Sequence, residues 1–226
     1  IIGAGPGGIF AAYELMQKKP DLKVAVFEAG HALHKRRCPI DGEKIKTCIG
    51  CKSCSIMSGF GGAGAFSDGK YNITNDFGGT LYEYIGKKQA LDLMHYVDEI
   101  NMRYGGDGCK LYSTAGTRFK TQCIQHDLHL LDASVRHLGT DINYVVLENL
   151  YNELKEKVEF FFDTPVDTVK IIPGGYEVEA KNTVYTCDKC IISVGRIGSK
   201  WMEQVCNDLK IPTSSNRVDL GVRVEL

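Results

Sequence analysis

Gly3-Ala4-Gly5-Pro6-Gly7-Gly8 places glycine at the spacing of a G-x-G-x-x-G loop, between a strand-like Ile1-Ile2 and a helix-like run from Ile9 to Gln17. Each glycine has a separate task. Gly3 allows the tight turn out of the strand, Gly5 lets a pyrophosphate approach the backbone, and Gly8 lets the helix pack close to the sheet. The N–H groups at the helix start, around Pro6 and Gly7, then face phosphate oxygens. The apolar strand Leu22 to Phe27 leads into Glu28, whose carboxylate is placed to accept hydrogen bonds from a ribose 2′-hydroxyl. Because Glu28 also repels a 2′-phosphate, the spacing predicts FAD or NAD rather than NADP.

Cys48-Ile49-Gly50-Cys51-Lys52-Ser53-Cys54 reads C-x-x-C-x-x-C, with Cys38-Pro39 upstream. Three cysteines so spaced wrap one face of a cubane, and a remote cysteine before proline supplies a further ligand in ferredoxin-type sites. The same four residues suit a structural zinc ion. A single C-x-x-C suits a redox dithiol, and reduced thiols in a glycine-rich loop are the alternative without any ligand. The expected metal ligands are therefore Cys38, Cys48, Cys51 and Cys54, around a [4Fe–4S] cluster or zinc, with the three-cysteine run favouring iron slightly. The other five cysteines, Cys109, Cys123, Cys187, Cys190 and Cys206, read as packing residues.

Between these motifs, His31 to Arg37 is a basic stretch, either a solvated loop or the source of an arginine, Arg36 or Arg37, that reaches the diphosphate. Cys38 to Lys70 is long, irregular and rich in glycine, the pattern of a functional segment. Its run Gly59-Phe60-Gly61-Gly62-Ala63-Gly64 reads as backbone held close to a ligand. His137 stands in a motif-like stretch, as a structural hydrogen-bonding residue or as a base.

The elements that must position these residues are legible from periodicity. Leu81 to Tyr104 reads as one or two helices closed by Gly105-Gly106, and Thr117 to Asp127 as another, leading to a short strand near Leu130 to Val135. Thr140 is expected to cap an amphipathic helix carrying Ile142, Val145, Val146, Leu150 and Leu154. A strand at Val158 to Phe162 and an antiparallel meander follow, the latter made by Val166 to Ile172, Tyr176 to Lys181 and Thr183 to Thr186. Cys190 to Val194 reads as a fully buried strand ending on Gly195, with a helix from Lys200 to Asp208. The expected fold is α/β: a Rossmann-like domain with a mainly parallel central sheet and a small antiparallel meander as an insert. The domain spans 1–226 as an excised part of a longer chain, and 75–135 is a helical insertion or the start of a substrate domain.

With 27 basic and 28 acidic residues the net charge is −1. Nucleic acid is not an expected partner, because there is no basic excess. No apolar run reaches the roughly 20 residues of a membrane span, and a cytoplasmic location is expected.

The glycine motif with Glu28, the antiparallel insert and Ile191-Ile192-Ser193-Val194-Gly195 together resemble the FAD-binding domain of two-dinucleotide-fold flavoproteins. More narrowly, Gly61 to Lys70, Arg136-His137-Leu138-Gly139-Thr140-Asp141 and Asp219 to Glu225 resemble the FAD-dependent dehydrogenases of bacteria and archaea, over nearly the whole chain. The resemblance implies FAD and an oxidoreductase whose electron donor is a small-molecule substrate, NAD(P)H or a ferredoxin-like protein. The alternative class is a non-catalytic flavin or metal module that relays electrons or senses redox state. It also implies Gly3, Gly5 and Gly8 on the ADP half, with Glu28. The backbone of Val166 then lies near the adenine, and Gly195 near the flavin-side phosphates. Gly61, Gly62 and Ala63 are expected beside the diphosphate or flavin, and Lys70 to carry positive charge toward a reduced flavin. The cysteine cluster is expected near the flavin edge. Two departures stand out: the longer Lys18 to Asp21 turn, and an expected end of this stretch before the last glycine-aspartate ribityl motif of such flavoproteins.

Overall fold

The computed structural model describes residues 1–215 and Gly221. The alternating, strand-like run Val218 to Leu226 falls, Gly221 apart, outside the described residues. Helix α1 (Pro6–Lys18) starts with proline in its first turn, where a missing N–H costs nothing. It buries Ile9, Ala12, Tyr13 and Met16 along one stripe. Strand β1 (Val24–Phe27) lies parallel to β5 (Val158–Phe161), with Val26 opposite Phe160. Ile2 extends this layer by single parallel bridges to Phe27 on one side and Ile192 on the other. Four parallel segments thus lie in the order 192, 2, β1, β5, but only two reach strand length.

The expected parallel central sheet is thus present only as this small layer, and among the described residues most strands are antiparallel. The meander of β6 (Val166–Ile172), β7 (Gly175–Ala180) and β8 (Thr183–Cys187) forms as read. A second antiparallel sheet was not expected. It joins β2 (Lys70–Ile73), β4 (Ser134–His137) and β3 (Leu111–Ser113) in the order β2-β4-β3. Residues 75–135 supply β3 and the helices α2 (Leu81–Ile85), α3 (Lys87–Asn101) and α4 (Phe119–Gln125) between β2 and the end of β4. Arg136 of β4 ties this sheet to α3: its Nε and Nη2 donate to the Asp98 carboxylate at 2.7 to 3.2 Å, and Nη1 donates to the Cys109 carbonyl. Asp98 in turn holds the Arg136 pKa above its ordinary value through these hydrogen bonds.

Two local expectations also change. Helix α5 (Gly139–Leu154) begins before Thr140, whose Oγ1 donates to the Ser67 carbonyl instead of capping the helix. Its buried stripe is Asn143, Val146, Leu147, Leu150 and Leu154, while Ile142 and Val145 face outward. The segment at Ile192 is not a fully buried strand, and Ile191 is 39% exposed. It pairs only with Ile2, so one edge lacks a described neighbour. Helix α6 (Ser199–Asp208) follows. No helix among the described residues is long and apolar enough to cross a membrane.

Candidate functional site

A cleft of about 260 Å³ opens at the carboxyl ends of the parallel segments, between the glycine loop, the 57–64 segment and residues 193–197. Its walls include Gly3, Gly5, Pro6, Gly7, Glu28, Gly62, Ala63 and Gly195 from the sequence reading. The first intrahelical bond of α1 runs from Ile9 N–H to Gly5 O at 2.9 Å. The N–H groups of Gly7 and Gly8 stand ahead of that ladder, at the positive end of the helix.

Glycine is required here by close approach. A Cβ on Gly8 would lie 1.9 Å from the Gly3 carbonyl oxygen, and Gly3 itself has φ +99° with a Cβ position 2.6 Å from the Ser193 carbonyl oxygen. Gly8 therefore packs behind the cleft, and Gly3 turns under Ser193. Gly5 differs, because its Cβ would meet only Gly62 Cα, at 3.8 Å, and otherwise open space. Bare backbone at Gly5 thus faces the cleft.

The second glycine run closes the opposite wall. Gly61 N–H donates to Ala4 O at 2.8 Å, just outside the cleft lining. The short 3₁₀ turn Gly62–Phe66 is held by α5: Asn143 Nδ2 donates to Gly64 O at 3.0 Å while its Oδ1 accepts from Tyr71 OH at 2.6 Å. Asn143 is thus buried among apolar residues because both ends of its amide are used.

Glu28, 7% exposed, binds three backbone donors: Ala4 N–H at 2.7 Å on Oε2, and Gly30 and Gly59 N–H at 2.8 and 2.9 Å on Oε1. A carboxylate offers about four acceptor positions, so one remains, on Oε2.

Other sequence candidates lie elsewhere. Arg36 does not reach the cleft: its guanidinium donates to the carbonyls of Ser55, Phe60 and Ile56 at 2.9, 2.6 and 2.9 Å. Lys70 pairs with Asp68 at 2.6 Å on a half-exposed face outside the cleft. His137 lies opposite it on β4, also exposed. Val166 starts β6 opposite Ala180 and packs its side chain with Ile2 and Phe27, away from the cleft lining. Sequence reasoning missed Ser193, whose Oγ donates to Gly3 O at 3.3 Å, and Arg196, the one cationic side chain lining the cleft among the described residues. Arg196 directly follows Gly195, and that adjacency was the available signal.

The expected metal centre is not assembled. Among the described residues, no group of three or more His, Cys, Asp or Glu side chains comes together to hold a metal ion. No helix or strand gathers Cys38, Cys48, Cys51 and Cys54, and the Asp41 carboxylate closes a local turn by accepting N–H groups from Glu43, Lys44 and Ile45. Cys48 and Cys51 are exposed. Timed alkylation read by mass spectrometry should modify these two first. Cys206, which is buried, and Cys190, whose thiol pKa burial pushes up, should react last. Joint protection of the four loop cysteines would reinstate a shared centre.

The architecture is a mixed α/β fold with a small parallel layer, and its cleft is built from backbone. It is similar to glycine oxidase from Geobacillus kaustophilus, with a TM-score of 0.54 over 93% of this chain and 57% of that one at 13% identity. An L-amino acid deaminase from Proteus vulgaris aligns over 93% of this chain and 49% of its own, at a TM-score of 0.44 and 11% identity. In sequence, an uncharacterized protein of Clostridium beijerinckii (strain ATCC 51743 / NCIMB 8052) is 24% identical over the whole of this chain and 36% of its own length. The chain thus spans about a third of that curated relative. No family model matches.

Proposed function

We propose that this chain is the Rossmann-like FAD-binding part of a flavin-dependent oxidoreductase. The observation that carries the reading is the convergence of two glycine segments, Glu28 and Gly195 on one cleft at the start of α1. The diphosphate fits the bare backbone at Gly5 and the N–H groups of Gly7 and Gly8, and the ribose fits the remaining acceptor of Glu28. Arg196 supplies positive charge at the rim, the role expected of Arg36. FAD, when bound, supplies hydride and electron transfer. The chain's own residues bind and orient it and hold its diphosphate against the helix start. The similarity of fold to a glycine oxidase supports this reading. The electron donor is a small-molecule substrate, NAD(P)H or a ferredoxin-like protein.

Gly5→Val tests the reading directly. Its Cβ meets nothing closer than 3.8 Å, and the backbone there is extended at φ −76°, so the fold should persist. The added methyls occupy the space of the diphosphate. FAD affinity of the full-length protein should fall at least about tenfold, roughly 1.4 kcal/mol, with unchanged circular dichroism. Equal FAD retention in a folded valine variant, or binding of NADH but not FAD by the unaltered protein, would overturn the assignment.

A further inference from the structure

Arg36 is only 5% exposed, yet no carboxylate pairs with it among the described residues. Its cation lies 4.8 Å from the Phe66 ring centroid, and burial pushes its pKa down to about 10, leaving it charged at neutral pH. All three of its polar contacts are carbonyls of one turn, Ser55, Ile56 and Phe60, which contains no helix or strand. That turn brings Gly59 N–H to Glu28 Oε1 at 2.9 Å. Gly59 is pressed between the two: it has φ +113°, and a Cβ there would lie 2.7 Å from Arg36 Cδ and 2.5 Å from the His31 carbonyl oxygen.

We propose that Arg36 is a positioning residue for ribose recognition, acting through the 55–60 turn and Gly59 on the Glu28 carboxylate, and not a diphosphate contact. The proposal rests on the dinucleotide reading above. With Oε1 filled by Gly30 and Gly59 and Oε2 holding Ala4, the carboxylate has one orientation and one acceptor to offer. Release of Gly59 leaves Oε1 held by Gly30 alone, and the carboxylate loses its fixed orientation toward the 2′-hydroxyl. Gly5 to Gly8 make no described hydrogen bond to residues 55–60, so phosphate contacts there should be less affected. A lysine retains the charge but lacks the planar fork that reaches three carbonyls at once.

The test compares ADP with 2′-deoxy-ADP on cofactor-stripped, full-length protein by calorimetry. The unaltered protein should prefer ADP by about tenfold or more, the ratio for a hydrogen bond to a charged group. In Arg36→Lys and Arg36→Met the preference should collapse toward one, through weaker ADP binding, with 2′-deoxy-ADP affinity nearly unchanged. A purely structural role would weaken both ligands equally and keep the ratio, which overturns the proposal. So would failure of both variants to fold, which assigns Arg36 to stability alone. An unaltered protein that binds both nucleotides without preference overturns the ribose role while leaving the dinucleotide reading standing. One that binds neither ADP nor FAD overturns both.

Discussion

Glu28→Ala is expected to cost about 3 to 6 kcal/mol of folding stability, taking roughly 1 to 3 kcal/mol for each buried donor left without a partner and allowing water to rehydrate part of the space. Three N–H groups, from Ala4, Gly30 and Gly59, lose their acceptor together, and Ala4 and Gly59 belong to two of the segments that wall the cleft. The glycine loop, the end of β1 and the 55–60 turn should loosen as one unit. Glu28→Gln should lose less, because the amide retains one oxygen but presents an NH₂ to donors that need an acceptor. Urea unfolding of the three proteins checks this order. If the alanine variant matches the parent in midpoint, Glu28 is a ligand residue only and does not organise the loops.

Asp98→Ala should be comparably severe, about 3 to 5 kcal/mol, because it strands a nearly buried guanidinium without its counter-charge. The Arg136 and Asp98 side chains are 15% and 8% exposed, and the pair joins α3 to the β2-β4-β3 sheet. Replacing both partners by leucine and methionine should be milder than the single change, since an apolar pair leaves no uncompensated charge. FAD affinity should survive in folded protein, because neither residue lines the cleft. A single variant no worse than the double would show that the guanidinium finds water or another partner.

The parts of the site that use backbone were legible in the sequence. Gly3 and Gly8 announce themselves because close approach within the chain admits no other residue, Gly5 because its spacing completes the loop motif, and Glu28 follows from the strand that must end beside them. Arg36 was not legible in the same way. A guanidinium binds a phosphate or three carbonyls with the same donors, and only the path of the chain after Ser55 decides which. The cysteine spacing described a ligand set, but spacing cannot show whether the loop gathers its thiols, and here no element does.

The meander was readable from its β-branched alternation and its Pro173-Gly174-Gly175 turn. The β2-β4-β3 sheet was not, since its strands are three or four residues long and β3 is exposed throughout. On α3 the apolar pattern was real but misleading. Ile100 is buried, while Leu93, 45% exposed, lines with Met94 and Val97 an open groove of about 250 Å³ beside β2. Asp98 and Asn101 take the inner positions, because paired or enclosed polar groups occupy the face that hydrophobicity alone would have assigned to leucine.

Ser193 donates to Gly3 across 190 positions of the sequence. Ribosomes extend a chain by about 5 to 20 residues per second, so the glycine loop leaves the tunnel roughly 10 to 40 s before the residue that braces it. During that interval α1 and β1 can already pack, but the glycine loop at the start of α1 has only one flank. A nucleotide met then finds half of its walls. Completion of the cleft therefore waits on residues 193–197: the residue that braces the glycine loop, not the loop itself, sets when the cleft first has all its walls.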